Sequence, residues 1–186
     1  HTAHETEAEA EEETLKMLDV YRAFSEEMLA MPVLVGQKTE SEKFAGALRT
    51  YAIEALMGDG RALQAGTSHN LGQHFSEAYG IEFLDKDQTR KRPWSTSWGT
   101  STRMLGGMVM CHGDDSGLVL PPRVAPHQVV IVPIPPRKGD WNEAVLPKAR
   151  EVEAALRSAG VRVHLDDRDQ FQPGFKYSDW EMRGVP

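Results

Sequence analysis

Two short polar runs constrain the fold of this chain more than any other part of its sequence. The first, residues 64–69 (QAGTSH), ends a segment with the apolar pattern of a short strand. The second, residues 97–103 (SWGTSTR), follows an interval long enough to return the chain beside the first. Each run contains a glycine, which lets backbone approach a ligand closely. Their hydroxyl, amide, imidazole and guanidinium groups suit a polyanionic, hydroxyl-rich ligand. The sequence therefore predicts two neighbouring strands that together form a nucleotide pocket.

The pattern around these runs predicts an antiparallel α+β domain. A hairpin of residues 47–57 and 61–67 would turn at Gly58-Asp59-Gly60, because glycine supplies positive φ at little cost. Strands that pair with their neighbours, with helices set to one side, are typical of this fold class. The predicted strands are 33–35, 47–57, 61–67, 81–84, 94–98 and 117–120, and the predicted helices are 2–31, 71–79 and 103–110, the last of them buried.

The beginning of the chain is predicted as one long amphipathic helix over residues 2–31. Leu15, Leu18, Tyr21, Phe24 and Met28 recur there at helical spacing. Glutamates crowd its start, at positions 5, 7, 9 and 11–13, where carboxylates favour the positive end of the helix dipole. A charge run of this kind is most often a solvated face, so we expect these side chains to face water.

A second domain is predicted after the proline-rich residues 121–126. Residues 129–132 read as a strand buried on both faces, residues 141–159 follow helical spacing, and residues 161–165 read as a second buried strand. Pro147 must kink this helix or mark its true start. The result is a βαβ unit with parallel strands, followed by a helix near residues 175–183. Because the chain starts without a methionine and stops soon after this helix, we expect it to be a piece of a longer protein.

Charge and cysteine content limit the class of protein. The formal net charge of −7 argues against nucleic-acid binding through an overall positive field, so RNA would need a local patch such as residues 90–92 (RKR) or Arg137-Lys138. The single cysteine, Cys111, excludes an internal disulfide and favours a reducing, cytoplasmic setting. No run approaches the ~20 apolar residues that cross a bilayer, so no membrane partner is expected.

The histidines give only a weak indication of a metal site. His1 and His4, with Glu5, have a spacing that could mimic metal ligands on a helix, but the sequence places no third ligand nearby. His112 with Asp114-Asp115 is explained by a turn after a helix. We therefore expect no metal-ligating residues in the chain.

Six stretches carry a resemblance to a known family. They are HTAH (1–4), QKTESEKFAGA (37–47), LQAGTSHNLGQHF (63–75), SWGTSTRMLGGMVMCHGDDSGLVLPPRVAP (97–126), QVVIVPI (128–134) and QPGFKYSDWEMRGVP (172–186). In this order they resemble prolyl-tRNA synthetases of the archaeal and eukaryotic type. The resemblance implies the end of a class II catalytic domain, with an antiparallel sheet and flanking helices, over residues 1–125. It implies a partial α/β anticodon-binding domain over residues 126–186, with the first two class motifs upstream of the chain.

The resemblance also implies roles for individual residues. At an ATP site it implies Gln64, Thr67, Ser101 and Arg103, with Arg103 as the catalytic residue that stabilises phosphate charge. At a proline site it implies His69, His1 and Phe44. His69 could be a general base, but a histidine beside threonine and serine is more often a hydrogen-bonding wall residue, so we expect it to position the substrate rather than transfer a proton. Two positions depart from the family: Ser101 stands where threonine is frequent, and residues 47–49 (ALR) stand where Gly-Asp-Tyr is frequent.

The implied activity is ATP-dependent ligation of L-proline to tRNA(Pro) through a prolyl-adenylate, with Mg²⁺ and in a homodimer, and without a DNA partner. Residues 1–186 alone are expected to be inactive because half of the pocket lies upstream. Two alternatives stay open. One is an inactive synthetase-like paralogue that binds tRNA or regulates, and the other is a synthetase for a different amino acid. The retained pocket residues argue against the first, and an exchange assay with different amino acids separates the second.

Overall fold

The chain forms two units of different architecture, residues 1–111 and residues 112–186. The structure, a computed structural model, describes residues 1–135 and 140–186. The elements from the start of the chain to Leu118 are β1 (Thr2–His4), α1 (Glu7–Ala23) with a π-helical continuation (Phe24–Met28), β2 (Val33–Gln37), β3 (Arg49–Leu56), β4 (Ala62–Gly72), α2 (His74–Ala78), β5 (Phe83–Leu84), β6 (Arg90–Lys91), β7 (Trp94–Thr100), α3 (Arg103–His112), β8 (Gly113–Asp114) and β9 (Gly117–Leu118).

A five-stranded antiparallel sheet in the order β1-β7-β4-β3-β2 organises the first unit. This confirms the predicted α+β fold, and the β3–β4 hairpin confirms the predicted turn at residues 58–60. The helix α1 packs on one face of the sheet, against β3, β4 and β7. Its buried side chains are Ala10, Thr14, Leu18 and Tyr21.

The prediction of one helix over residues 2–31 is wrong at its start. Residues 2–4 form β1 instead, and Thr2 pairs with Thr96 of β7. The helix begins at Glu7 because Thr6 closes a capping box: the Thr6 hydroxyl accepts from the Glu9 N–H at 3.2 Å, and the Glu9 carboxylate accepts from the Thr6 N–H at 3.1 Å. The apolar pattern also misjudged the buried face, since Leu15 and Phe24 are exposed.

The helix α3 is only partly buried, so the prediction of a buried helix there is also wrong in part. Met104, Gly107 and Met108 face the protein, whereas Leu105 and Val109 are exposed. A Cβ at Gly107 would lie 2.8 Å from the Leu63 side chain, so this glycine permits the close packing of α3 on β4.

The second unit contains the predicted βαβ arrangement. Its elements after β9 are β10 (Val129–Ile131), α4 (Trp141–Ala144), α5 (Leu146–Ser158), β11 (Val163–Leu165) and α6 (Pro173–Met182). The strands β10 and β11 pair in parallel, as predicted. Pro147 lies in the first turn of α5 and marks its start, because its missing N–H has no partner there in any case. Contrary to the prediction, residues 129–131 are half-buried rather than covered on both faces.

Within the described residues, no helix combines the length and the apolar character needed to span a bilayer.

Candidate functional site

The register between β4 and β7 divides the two polar runs between the faces of the sheet. Thr67 pairs with Gly99, and His69 pairs with Ser97. Paired residues of an antiparallel ladder point to the same face, and successive residues alternate. Ser68, the residue between Thr67 and His69, points to α1, where its Oγ donates to the Thr14 carbonyl at 2.7 Å. The opposite face, with Thr67 and His69, is the floor of an open cleft.

A β-bulge at Ala65 brings Gln64 onto the same floor. The register runs from Ile53–Gly66 directly to Glu54–Gln64, so Ala65 is an extra residue with no opposite partner. In a regular strand of the same length, without the bulge, Gln64 would alternate onto the helix-covered face. The Thr100 hydroxyl donates to the Ala65 carbonyl at 3.0 Å and thereby ties the bulge to β7.

The two glycines of the polar runs serve different purposes. A Cβ at Gly99 would meet no atom within 4 Å, so the space above this residue belongs to the cleft. A Cβ at Gly66 would instead lie 3.3 Å from Tyr21 and 3.4 Å from Ile53, on the packed face. Close approach of a ligand therefore explains Gly99, whereas Gly66 is explained by packing against α1.

The cleft has a volume of about 420 Å³. The site residues predicted from the sequence that line it are His1, Gln64, Thr67, His69, Ser101 and Arg103. Arg103 is exposed and begins α3, and the Ser101 hydroxyl accepts from its backbone N–H at 3.3 Å. The guanidinium of Arg103 forms no ion pair with any residue that the structure describes. A free cation beside a helix N-terminus favours an anion at this end of the cleft.

His69 is held by its neighbour across the ladder. Its Nδ1 lies 2.9 Å from the Thr50 hydroxyl, and that hydroxyl also accepts from the Phe44 N–H at 3.1 Å. Burial disfavours the charged imidazole and lowers the pKa of His69. The ring therefore offers the cleft a neutral, oriented imidazole, with the Phe44 ring centroid 5.5 Å away.

A second, mostly apolar hollow of about 420 Å³ adjoins the cleft and shares His1 and Ser97 with it. Phe44 lines this hollow and stacks on Phe75, with ring centroids 6.3 Å apart and an angle of 9°. Gly46 makes this arrangement possible, since a Cβ there would lie 2.7 Å from the Phe75 ring. Phe44 is thus the one predicted site residue outside the cleft lining, at its border.

Other candidates from the sequence gain no support from the residues that the structure describes. In the described part of the chain, no group of three or more His, Cys, Asp or Glu side chains could hold a metal ion. The basic run 90–92 is engaged in ion pairs, of which the closest joins Lys91 to Asp85. The alternative patch, Arg137-Lys138, lies outside the described residues.

Sequence reasoning missed the residues behind the sheet that hold the site. We expected the acidic run to face water, but Glu7 and Glu11 bind residues of the sheet. Glu7 accepts from Arg49 at 2.7 Å, and Glu11 accepts from Arg49 and Asn70 at 3.1 and 2.7 Å. Positions 7 and 11 each lie three residues before a buried position of α1, positions 10 and 14 respectively, on the same side of the helix. That spacing in the sequence indicates that these two glutamates face the sheet.

Comparison with known proteins agrees with this geometry. Residues 128–186 match the family described as "Anticodon binding domain". Over all 186 residues the chain is 59% identical to the proline–tRNA ligase of Natranaerobius thermophilus and 58% identical to proline–tRNA ligase 2 of Clostridioides difficile. The chain spans 38% of the length of each of these relatives.

Solved structures give the same result for the fold. The crystal structure of Cryptosporidium parvum prolyl-tRNA synthetase complexed with L-proline and AMP matches 98% of this chain with a TM-score of 0.90 and 47% identity, over 39% of its own length. The same enzyme complexed with halofuginone and AMPPNP matches with a TM-score of 0.91 and 48% identity, over 38% of its length. Along its whole length, the chain is thus a homologue of one segment of the prolyl-tRNA synthetases.

Proposed function

We propose that this chain supplies part of the ATP and proline pockets of an enzyme that ligates L-proline to tRNA(Pro). The observation that carries the proposal is that Arg103 and His69, from separate parts of the sequence, line one cleft. One end of the cleft offers a cation and hydroxyls, and the other offers a neutral imidazole beside an aromatic ring. A nucleotide triphosphate and a small apolar amino acid require this combination in adjacent positions.

At the first end, Gln64, Thr67, Ser101 and Arg103 hold ATP. The proline carboxylate oxygen attacks the α-phosphorus, pyrophosphate leaves, and a prolyl-adenylate remains. A ribose hydroxyl of the terminal tRNA nucleotide then attacks the acyl carbon, and AMP leaves. Neither step needs a protein nucleophile, so the contribution of Arg103 is to position the phosphates and stabilise the charge that develops on them. Mg²⁺ bound with the triphosphate would neutralise a further part of its charge.

At the second end, His69, His1 and Phe44 surround proline. The Thr50 oxygen accepts from the Phe44 N–H, so the Thr50 proton is free to point at Nδ1 of His69. On this basis we assign the proton of the neutral imidazole to Nε2, the nitrogen that does not contact Thr50. His69 then donates a hydrogen bond to the substrate and transfers no proton. The half-exposed Phe44 ring supplies an apolar face for the pyrrolidine ring.

The proposal extends to partners of the complete protein. We place the boundary between the catalytic and anticodon-binding domains after residue 125, close to the start of the matched family at residue 128. The second domain binds the tRNA anticodon, and the whole enzyme is a homodimer. A cytoplasmic setting fits these substrates, and the exposed free thiol of Cys111 fits a reducing compartment.

The test is proline-dependent exchange of pyrophosphate into ATP by the full-length protein. Arg103→Ala should lower the exchange rate by about 10²–10³-fold, since one charge-stabilising donor contributes roughly 2–4 kcal/mol in a transition state. Arg61→Ala is the matched control, because Arg61 is an exposed arginine on the same unit that does not line the cleft. We expect it to exchange at the normal rate.

Two results would contradict the proposal. Undiminished exchange by Arg103→Ala would remove Arg103 from the mechanism. Exchange that depends on another amino acid, or no exchange by the unaltered protein, would remove proline ligation itself.

A further inference from the structure

The Thr50–His69 pair at the floor of the cleft is held from behind by α1. In the β3–β4 ladder this pair is flanked by the pairs Arg49–Asn70 and Tyr51–Ser68. All four flanking side chains project to the other face of the sheet and end on α1: three reach Glu11, and Ser68 reaches the Thr14 carbonyl. The helix thus contacts every ladder neighbour of the residues that orient the imidazole.

Glu11 is the centre of this arrangement. Its Oε2 accepts from Asn70 Nδ2 at 2.7 Å and from Arg49 Nε at 3.1 Å, and its Oε1 accepts from the Tyr51 hydroxyl. Burial opposes ionisation of Glu11, but the hydrogen bonds from Tyr51, Asn70 and Arg49 prevail, and its pKa lies below the usual value. Burial and the Glu11 carboxylate together raise the pKa of Tyr51 to about 12. Glu11 is therefore an ionised acceptor with three donors fixed around it.

These contacts act on the front of the sheet through the backbone. Asn70 directly follows His69, and Arg49 and Tyr51 directly precede and follow Thr50. Side chains of consecutive strand residues project in opposite directions, so fixing one fixes the direction of the next. Asn70 is further locked because its Oδ1 accepts from the Gly72 N–H at 2.9 Å.

We infer that Glu11 is a positioning residue for amino-acid binding, which holds Thr50 and His69 so that one tautomer of the imidazole faces the proline end of the cleft. The inference rests on the proposed function for the identity of the substrate. It concerns the amino-acid end alone, because no residue assigned to ATP lies in the two pairs that flank Thr50–His69. Thr67, the nearest of them along β4, lies one pair further, beyond Ser68.

The experiment uses Glu11→Gln in the full-length protein. The amide keeps the size of the side chain but replaces one acceptor oxygen with an NH₂ donor. If the NH₂ group takes the place of Oε1, Tyr51 loses its acceptor; if it takes the place of Oε2, Asn70 and Arg49 lose theirs. Glu12→Gln is the matched control: Glu12 is the exposed neighbour on α1 and carries the same charge. Tyr51→Phe, which removes a single donor, is a milder second variant in case Glu11→Gln folds poorly.

Two measurements are made on each variant. The ¹⁵N shifts of the His69 ring report its tautomer, and steady-state exchange reports KM for proline and for ATP separately. In Glu11→Gln we expect the single Nε2–H tautomer to give way to a mixture. KM for proline should rise about tenfold, the loss expected for one hydrogen bond to a charged group. KM for ATP in Glu11→Gln should stay within about twofold of that of the unaltered protein. In Glu12→Gln, KM for proline and KM for ATP should both stay within the same range. Tyr51→Phe should change the same quantities in the same direction and by less.

The inference fails if Glu11→Gln keeps the single tautomer and the normal KM for proline. It also fails if KM for ATP rises as much as KM for proline, because that result indicates general loosening of the unit. Absence of proline dependence in the unaltered protein would instead overturn the proposed function. The ¹⁵N spectra would still decide whether Glu11 orients His69.

Discussion

At the scale of single residues, the cleft depends on a histidine that stays neutral. Burial lowers the pKa of His69 from the ordinary value of 6.5. The unfolded chain therefore binds more protons than the folded chain between the folded pKa and 6.5. The free energy of unfolding rises with pH across this window and falls as the pH drops through it. A neutral ring can donate from one nitrogen while it accepts at the other, and the proposed bond from the Thr50 hydroxyl to Nδ1 uses that division of roles.

We expect the His69 ring to titrate at a lower pH in the folded protein than in the protein unfolded by urea. The measurement is the pH dependence of its ring resonances by NMR in both states. Thr50→Val, which keeps the side-chain size and removes the hydroxyl, should abolish the single tautomer while burial still depresses the pKa. A folded-state pKa at or above the unfolded one would show that the imidazole is not held neutral by burial.

At the scale of elements, β4 and β7 offer a matched pair of glycines, one on each face of the sheet. Gly99→Ala places a methyl group in open cleft, so we expect normal stability and weaker ATP binding. Gly66→Ala places the same group 3.3 Å from Tyr21 and 3.4 Å from Ile53, so we expect a loss of roughly 1–3 kcal/mol from overpacking. Denaturant unfolding and the KM for ATP, measured on both variants, check this division.

Each variant serves as the control for the other. If both lose stability, the space above Gly99 is packed rather than open. If Gly99→Ala binds ATP normally, this part of the floor does not approach the nucleotide.

The elements that the sequence predicted well are those defined by local chemistry. The β3–β4 hairpin follows from Gly58-Asp59-Gly60, and the start of α5 follows from Pro147, because turn and proline constraints act within a few residues. The strand at residues 2–4 was missed because it pairs with β7, far along the chain. The exposed side of α3 was missed because an apolar sequence does not specify which side another element covers.

The same distinction applies to the site. The residues of the cleft floor could be selected from two polar runs and from family motifs, since both are properties of the sequence. The bulge at Ala65 and the contacts of Glu11 could not, because each depends on the register between distant strands or on a helix crossing behind them. Arg49 shows what the sequence leaves undetermined. It replaces the residue that is frequent in the family at this position, and only the structure shows that it forms ion pairs with Glu7 and Glu11.

At the scale of the whole molecule, the second unit has its own charged centre. Asp166 is 1% exposed and follows β11. Its carboxylate accepts from Arg168 at 2.6 and 2.8 Å and from Trp180 Nε1 at 2.8 Å. The side chain of Lys176 is also buried, and its Nζ donates to the Asp166 carbonyl at 3.0 Å. These contacts join β11 to α6 within residues 112–186.

Asp166→Ala should destabilise this unit by roughly 3–5 kcal/mol, because it removes the carboxylate that lies 3.8 Å from the buried ammonium of Lys176 and the acceptor of Trp180. Asp167→Ala is the control, because the adjacent carboxylate is exposed and pairs only loosely with Arg150, at 3.9 Å. We expect it to change the stability by no more than about 0.5 kcal/mol. Hydrogen exchange of amides in residues 140–186 measures both effects directly. Equal protection in the two variants would show that Asp166 is not the centre of this unit.

The extra residue in β4 has a consequence for anyone who compares this chain with other sequences. In a regular strand, one added residue exchanges inside for outside along everything that precedes it, whereas a bulge absorbs the added residue and preserves the facing. A homologue that lacks the Ala65 position would form a regular strand and keep its glutamine toward the cleft. A homologue of equal length that lacks the bulge would instead turn its glutamine toward the helix and present the Leu63 position to the cleft. Counting identical letters would rate this second homologue as equivalent to the first, although its cleft would have lost an amide and acquired an aliphatic side chain.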